Sequence, residues 1–405
     1  MKKSKWLAAL TLVVALVASA CGGDDDEGGG GTTGAGGDGG ESCETTWVIG
    51  TMGALSGDAA VIGGPIHQGV EYAINEINEG GDLPCELALE SEDSQGNPEQ
   101  APQLAQSLVE NEELVAVVGP YFSGETLASG EFFNEAGIAF VTPSATNETI
   151  DDQGWDTFFR AVANDAVQGP TAAEFIQGQF SPQSVAVIHD NQDYSKGLAE
   201  TVQSELGDAA EGPFIITPGE TDFSSVVSEV KNADPDVVYY GGYAPEAGPL
   251  LKQLRDAGVD APFVSDDGAK DPAFGELAGG AADTGAFVTC PCADPLKLEG
   301  ASDFVDGIKQ EYNRNPGTFA ADAYDSVYLI AEALKEVDPA DDVETVRQSI
   351  VEFLDGVEGH EGITKTYTFA DNGEVEVDPL EDIWIYEWKN DDFISLGPAS
   401  DVVNQ

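Results

Sequence analysis

The side chains best placed for chemistry follow two short apolar runs. Leu114 to Val118 is an unbroken, mostly β-branched stretch that reads as a strand covered on both faces, and Gly119-Pro120 ends it. Tyr121 and Phe122 come next, then Ser123 at the mouth of a segment with helical character from Thr126. A helix leaves its first amides unpaired and its positive dipole end exposed, so Ser123 stands where a small anion such as a carboxylate is held. The arrangement recurs further on: Ile138 to Val141 reads as a strand, and Thr142-Pro143-Ser144-Ala145-Thr146 as the polar turn after it. In a doubly wound sheet ligands collect at the carboxyl ends of strands, which puts Ser123, Ser144 and Thr146 on one crevice. The plainer alternative is that these residues only cap helices.

Catalysis finds weaker support. Ser123 lacks the Gly-x-Ser-x-Gly elbow, because Gly119 lies too far ahead and Glu125 occupies the second glycine's place. The 3 histidines, His67, His189 and His360, are far apart in sequence. His189-Asp190 would orient a base for Ser123 only if two parts of the fold closed on each other. No Walker sequence, dinucleotide fingerprint or Cys/His metal spacing is present. The expectation is a binding protein rather than an enzyme, with no cofactor and no metal.

The elements that must position these residues alternate between strand and helix. Trp47 to Met52 reads as a strand, 54–64 as a small-residue loop, and 65–79 as a helix burying Ile66, Val70, Ala73, Ile74 and Ile77. Further strands are expected at 87–90 and 158–162, and a helix after Pro98. A second series follows without a low-complexity linker: strands at 184–189, 212–217, 236–240, 262–265 and 285–289, with helices at 194–206 and 245–257 between them. Helices return at 301–312, 318–337 and 343–354. β-structure closes the chain, at 366–369 and 382–388, with a turn at Asp371-Asn372-Gly373. The fold class is therefore α/β, with two doubly wound parallel-sheet lobes. Three crossovers, near Val162, Thr289 and Pro379, would form a hinge. The expected partition is 44–161 plus 290–378 for lobe 1 and 162–289 plus 379–405 for lobe 2.

The N-terminus is an address rather than a fold. Lys2, Lys3 and Lys5 precede an apolar run from Trp6 to Ala18 that is short of the ~20 residues a membrane span needs, so residues 1–20 read as an export signal. Ala18-Ser19-Ala20-Cys21 resembles a bacterial lipobox, which makes Cys21 the acylated residue. Residues 21–43 are a Gly/Asp tether that cannot bury a core and spans roughly 25 Å as a coil. The formal net charge of −59 falls to −62 when the leader's three lysines are removed. Such a surface repels nucleic acid and anionic headgroups, leaving the lipid as the expected tie to the membrane. Of the 5 cysteines, Cys43 and Cys85 precede the first two strands at one sheet edge, so a disulfide between them is geometrically sensible. Cys290 and Cys292 either bridge locally or stay reduced.

Several stretches occurring in order resemble the leucine/isoleucine/valine-binding protein family, the type I periplasmic binding proteins of ABC amino-acid importers. They are the run from Arg160 through Asn164-Asp165 to Gln168-Gly169-Pro170, then Val187-Ile188-His189-Asp190 with Tyr194 and Gly197, Asp222-Phe223-Ser224-Ser225, and Val238-Tyr239-Tyr240-Gly241-Gly242-Tyr243. The likeness spans Val48 to Trp388. It implies a monomer that captures an amino acid, branched-chain or otherwise apolar, by hinge closure, and delivers it to a permease on the outer face of the cell membrane. It also implies that Ser123 and Thr146 meet the ligand carboxylate. Ser144 would offer its carbonyl to the α-ammonium and Asp267 its carboxylate, one methylene shorter than the family's usual glutamate. Tyr194 and Tyr243 would form the second lobe's wall, and Phe319 would close the apolar end. Tyr121 and Phe122 stand where smaller apolar residues are usual, and Ile62 where an aromatic is common, so the pocket's shape differs. Ala145 belongs to the same turn.

Overall fold

The structure is a computed structural model and describes residues 46–403. The leader, Cys21, the tether and Cys43 lie outside the described residues. Among those described, no helix is long and apolar enough to cross a membrane.

The first half of the chain builds a five-stranded parallel sheet in the order β2-β1-β3-β4-β5. Its strands and connecting helices are β1 (Trp47–Gly53), α1 (Ala60–Gly80), β2 (Leu87–Asp93), α2 (Ala101–Val109), β3 (Leu114–Val118), α3 (Ser123–Glu135), β4 (Ala139–Thr142) and β5 (Phe158–Arg160). β1 and β3 are buried along their whole length, as apolar runs with helices on both faces must be.

The chain then leaves this sheet for a second. α4 (Asp165–Phe180), β6 (Val185–His189), α5 (Asp193–Leu206), β7 (Ala210–Ile215), α6 (Ser224–Ala233), β8 (Val237–Gly241), α7 (Ala244–Ala257), β9 (Phe263–Ser265), α8 (Pro272–Ala278) and β10 (Ala286–Cys290) follow. α9 (Ser302–Tyr312), α10 (Ala320–Leu334) and α11 (Val343–Asp355) return to the first sheet: α9 and α10 pack on α1, and α11 on β3 and β4. After the short pair β11 (His360–Glu361) and β12 (Thr366–Tyr367), the chain passes through α12 (Pro379–Asp382) into β13 (Trp384–Lys389), β14 (Asp392–Pro398) and α13 (Ala399–Val402). β13 and β14 extend the second sheet, whose order is β14-β13-β10-β9-β8-β6-β7. The chain thus crosses between the sheets three times, within 161–164, after β10, and before β13.

Three local expectations change. α1 begins at Ala60 rather than at Pro65, because its first turn closes before the proline, with Ile62 and Gly63 both donating to the Ala59 carbonyl. A Cβ on Gly63 would sit 2.1 Å from the Ala54 carbonyl oxygen, so a glycine there lets the helix start press against β1's end. Ile62 consequently belongs to a helix and not to a loop. α3 likewise begins at Ser123 rather than Thr126. Finally, the Asp371-Asn372-Gly373 turn forms and reverses the chain, with Phe369 bridging antiparallel to Val375, while β12 pairs with β11 and β13 with the unanticipated β14. The β13–β14 turn is Asn390-Asp391, both at positive φ (57° and 63°), the conformation a tight hairpin demands.

Cys290 and Cys292 are disulfide-bonded to each other. Cys85 is buried and also disulfide-bonded. It lies just ahead of β2, which pairs with β1 in the register Trp47 to Leu87.

Candidate functional site

Strand ends from both sheets meet at a small cavity. Ile62, Tyr121, Phe122, Ser123, Ser144 and Phe319 line it from the first half, and Tyr194, Tyr243, Asp267 and Gly268 from the second. The enclosed space is about 10 Å³, room for about one water, so the halves stand pressed together. One ring pair spans them, Phe122 lying 5.6 Å from Tyr243 between centroids, and within the second half Tyr243 lies 5.1 Å from Tyr194. Asn147 Nδ2 also reaches across to donate to the Asp193 carbonyl at 2.6 Å.

Ser123 is the first residue of α3 and does not cap it, since the N-cap position is Phe122. The hydroxyl instead accepts from the Asn147 N–H at 3.2 Å, across to the turn after β4. Ser144 Oγ donates to the Tyr121 carbonyl at 2.8 Å. The two serine-bearing turns are thus tied to each other, which the capping alternative did not require. Tyr121 points its hydroxyl to Thr51 on β1 and presents its ring to the cavity.

Ala145 and Thr146 are buried but are not part of the cavity's lining. The Ala145 N–H donates to Thr142 Oγ1 at 3.0 Å and its carbonyl accepts from Arg160. The Thr146 carbonyl accepts from the Asp165 N–H at 2.8 Å, joining the turn to the start of α4. Arg160 fixes the turn from beneath. It is fully buried, donates to the Ala145 and Asn147 carbonyls at 2.7 and 3.0 Å, and pairs with Glu374 at 2.7 Å. The role of Arg160 is not legible locally, because its partner Glu374 lies 214 residues away.

On the opposite half, Asp267 begins the turn after β9. Its Oδ1 accepts from Gln168 Nε2 at 2.8 Å and from the Tyr194 hydroxyl at 2.9 Å. The Gly268 N–H donates to that same hydroxyl at 3.2 Å, which brings Gly268, absent from the sequence-derived set, onto the wall. Burial pushes the Asp267 carboxyl up to about 6, against the opposing pull of the Gln168 and Tyr194 hydrogen bonds. Asp266, buried beside it, is raised well above the carboxylate range by burial and by Asp267's charge. Burial and Asp267 also raise Asp165 to about 8, while Thr146 and Arg160 act the other way. No lysine or arginine lines the cavity.

Phe319 stands at the N-cap of α10 with φ +60°, a strained setting for a bulky side chain, and it turns its ring into the cavity. His189 Nδ1 accepts from the Asn191 N–H at 3.0 Å, while the Ser123 hydroxyl accepts from the Asn147 N–H.

The profile of the family described as "Periplasmic binding protein" matches residues 46–392. The Leu/Ile/Val-binding protein of Escherichia coli (strain K12) is 33% identical over 313 residues, covering 76% of this chain and 84% of that protein. An amino acid binding protein of Pseudomonas aeruginosa is 30% identical over 348 residues, covering 84% of this chain and 90% of that protein. Among solved structures, the branched-chain amino acid transporter substrate binding protein LivJ of Streptococcus pneumoniae, in complex with isoleucine, superimposes with a TM-score of 0.76 at 26% identity, over 87% of this chain and 100% of that one. With one parallel and one mixed sheet meeting at one cavity, three crossings between them, and a family match over nearly all described residues, the chain belongs to the periplasmic binding protein family, whose members bind solutes.

Proposed function

We propose that this protein is the extracytoplasmic solute-binding component of an ABC importer, capturing a zwitterionic amino acid with an apolar side chain and delivering it to permease subunits. The observation that carries this is the cavity's polarity. Ser123, at the amino end of α3, faces in from one half and Asp267 from the other, with Ile62, Phe122 and Phe319 between. A carboxylate suits a helix N-terminus, an ammonium suits an acid with no cationic partner, and a branched alkyl chain suits the aromatic and aliphatic remainder. The relatives' names point the same way. Entry of such a ligand requires the two sheet-centred halves, 44–161 plus 290–378 and 162–289 plus 379–405, to part about the three crossings and close again.

Each charge-assisted contact contributes about 1.5–3 kcal/mol. Ser123→Ala and Asp267→Asn are each expected to weaken binding by about 10- to 100-fold in calorimetry of ligand-stripped protein against leucine. Asp267→Asn is expected to cost less for the des-amino analogue, which has no ammonium. Equal losses for the two ligands would remove the ammonium assignment. Ester turnover that vanishes in Ser123→Ala while affinity is kept would favour an exported serine hydrolase. A closed form read by a separate receptor would make the same protein a sensor's input.

The finer address belongs to the same proposal: residues 1–20 are a leader, Cys21 carries lipid, and 21–43 tether the domain to the membrane surface. Cys21→Ser is expected to release the protein into the medium on cell fractionation. A variant that still sediments with membranes would count against it.

A further inference from the structure

Gln168 is fully buried on the first turn of α4. Its Nε2 donates to Asp267 Oδ1 at 2.8 Å, and also to the Thr289 carbonyl and hydroxyl at 3.1 and 3.2 Å. The side-chain amide has two N–H groups, so one serves the aspartate while the other is shared between the two Thr289 oxygens. α4 begins directly after the first crossing between the sheets, and Thr289 stands directly before the second. Gln168, Thr289 and Asp267 all belong to the second half, so the Asp267 carboxylate is anchored through Gln168 beside two of the three crossings.

The chemistry of the donors matters as much as their placement. Oδ1 is held by Gln168 and Tyr194, which are both neutral. They orient the carboxylate and favour its ionised form without neutralising it, which a lysine or arginine partner would do. The other titratable groups facing it are Asp165 on α4, Tyr194 on α5, Tyr239 on β8, Tyr243 ahead of α7 and the neighbouring Asp266, with Lys270 acting through its charge from the same turn. The three carboxyl groups are buried together, so a donor that supports ionisation at Asp267 has a large effect.

Resting on the reading of Asp267 as the ammonium's partner, we propose that Gln168 is a positioning residue for ligand recognition: it fixes Asp267 Oδ1, keeps the carboxylate ionised, and leaves Oδ2 to meet the ligand's cationic group.

The test is leucine titration of the mature protein carrying Gln168→Met, which keeps the volume and removes the donor, across pH 5 to 8.5. The expected result is an affinity about tenfold or more below the parent's at pH 7, with the midpoint of the affinity's acid fall moved up by about one pH unit, and little change for the des-amino analogue. Gln168→Glu, isosteric and also without the amide donor, is expected to move the midpoint in the same direction and serves should the methionine variant fail to fold. A Gln168 variant that weakens both ligands equally with an unmoved midpoint would reduce Gln168 to packing and overturn the proposal. If instead Asp267→Asn fails to discriminate between the two ligands, the ammonium assignment itself has failed, and the two failures are told apart.

Discussion

At the scale of residues, the site divides into side chains that face the cavity and side chains that hold them. Ser123 and Asp267 face it. Arg160, Asn147 and Gln168 hold them through buried hydrogen bonds to backbone and carboxylate. The Asp267 carboxyl, pushed up to about 6 chiefly by burial, sets a direction for pH. An ammonium is attracted only by the ionised acid, so binding must expel the proton wherever the acid carries one. Affinity for an amino acid is expected to be level above about pH 7 and to fall by roughly tenfold per unit once the pH is well below 6. Titrations at pH 7.5, 6 and 5 check this, and a flat profile would show that Asp267 does not meet a cation.

At the scale of elements, the cavity's apolar end depends on how α10 lies against α1. A Cβ built on Gly69 would sit 2.0 Å from the Ala320 carbonyl oxygen, so this glycine sets how closely the two helices approach. Backbone cannot yield there as a flexible side chain would. Gly69→Ala is expected to destabilise the fold by about 1–3 kcal/mol as an overpacked contact, measured by denaturant unfolding. Phe319 precedes Ala320, so the same substitution shifts the ring that closes the cavity and is expected to weaken ligand binding as well. Unchanged stability would mean that the helices part freely and that their contact does not position Phe319.

For the whole molecule, Asp165, Asp266 and Asp267 lie buried close to one another in the second half. Folded-state values raised to about 8 for Asp165 and about 6 for Asp267 mean that the closed form binds protons more tightly than a form in which these acids meet water. Their favourable contribution to closure is therefore greatest at low pH, and it is lost as the pH climbs through about 6 and then about 8. Under the proposed function, a ligand's ammonium would act on Asp267 in place of the proton. Small-angle scattering is expected to show a radius of gyration that shrinks on adding leucine at pH 8, and that also shrinks without ligand between pH 8 and pH 5. A profile unchanged under both conditions would remove the hinge from the account.

The alternation of apolar runs with amphipathic stretches determined two sheets built mainly of parallel strands, because strand and helix periodicity are local properties of the chain; the antiparallel β13 and β14 at the edge of the second were not part of that pattern. The serine after β3 and the turn after β4 were legible for the same reason, since strand ends in such sheets gather ligands. The ordered stretches from Arg160 to Tyr243 pointed to the family. Other features depended on residues far apart in sequence. That Ser123 binds the Asn147 amide rather than capping its helix, that Ala145 and Thr146 are not on the cavity wall, and that Gly268 is, follow from how turns on different strands pack. Arg160 finds Glu374, and Gln168 finds Asp267 and Thr289, only after the chain has crossed between sheets. The β13–β14 hairpin was hidden because Asn390-Asp391 is a weaker turn signal than Asn372-Gly373. A local pattern specifies which element forms, but the partners of a buried polar group are set by which elements the tertiary fold packs around it.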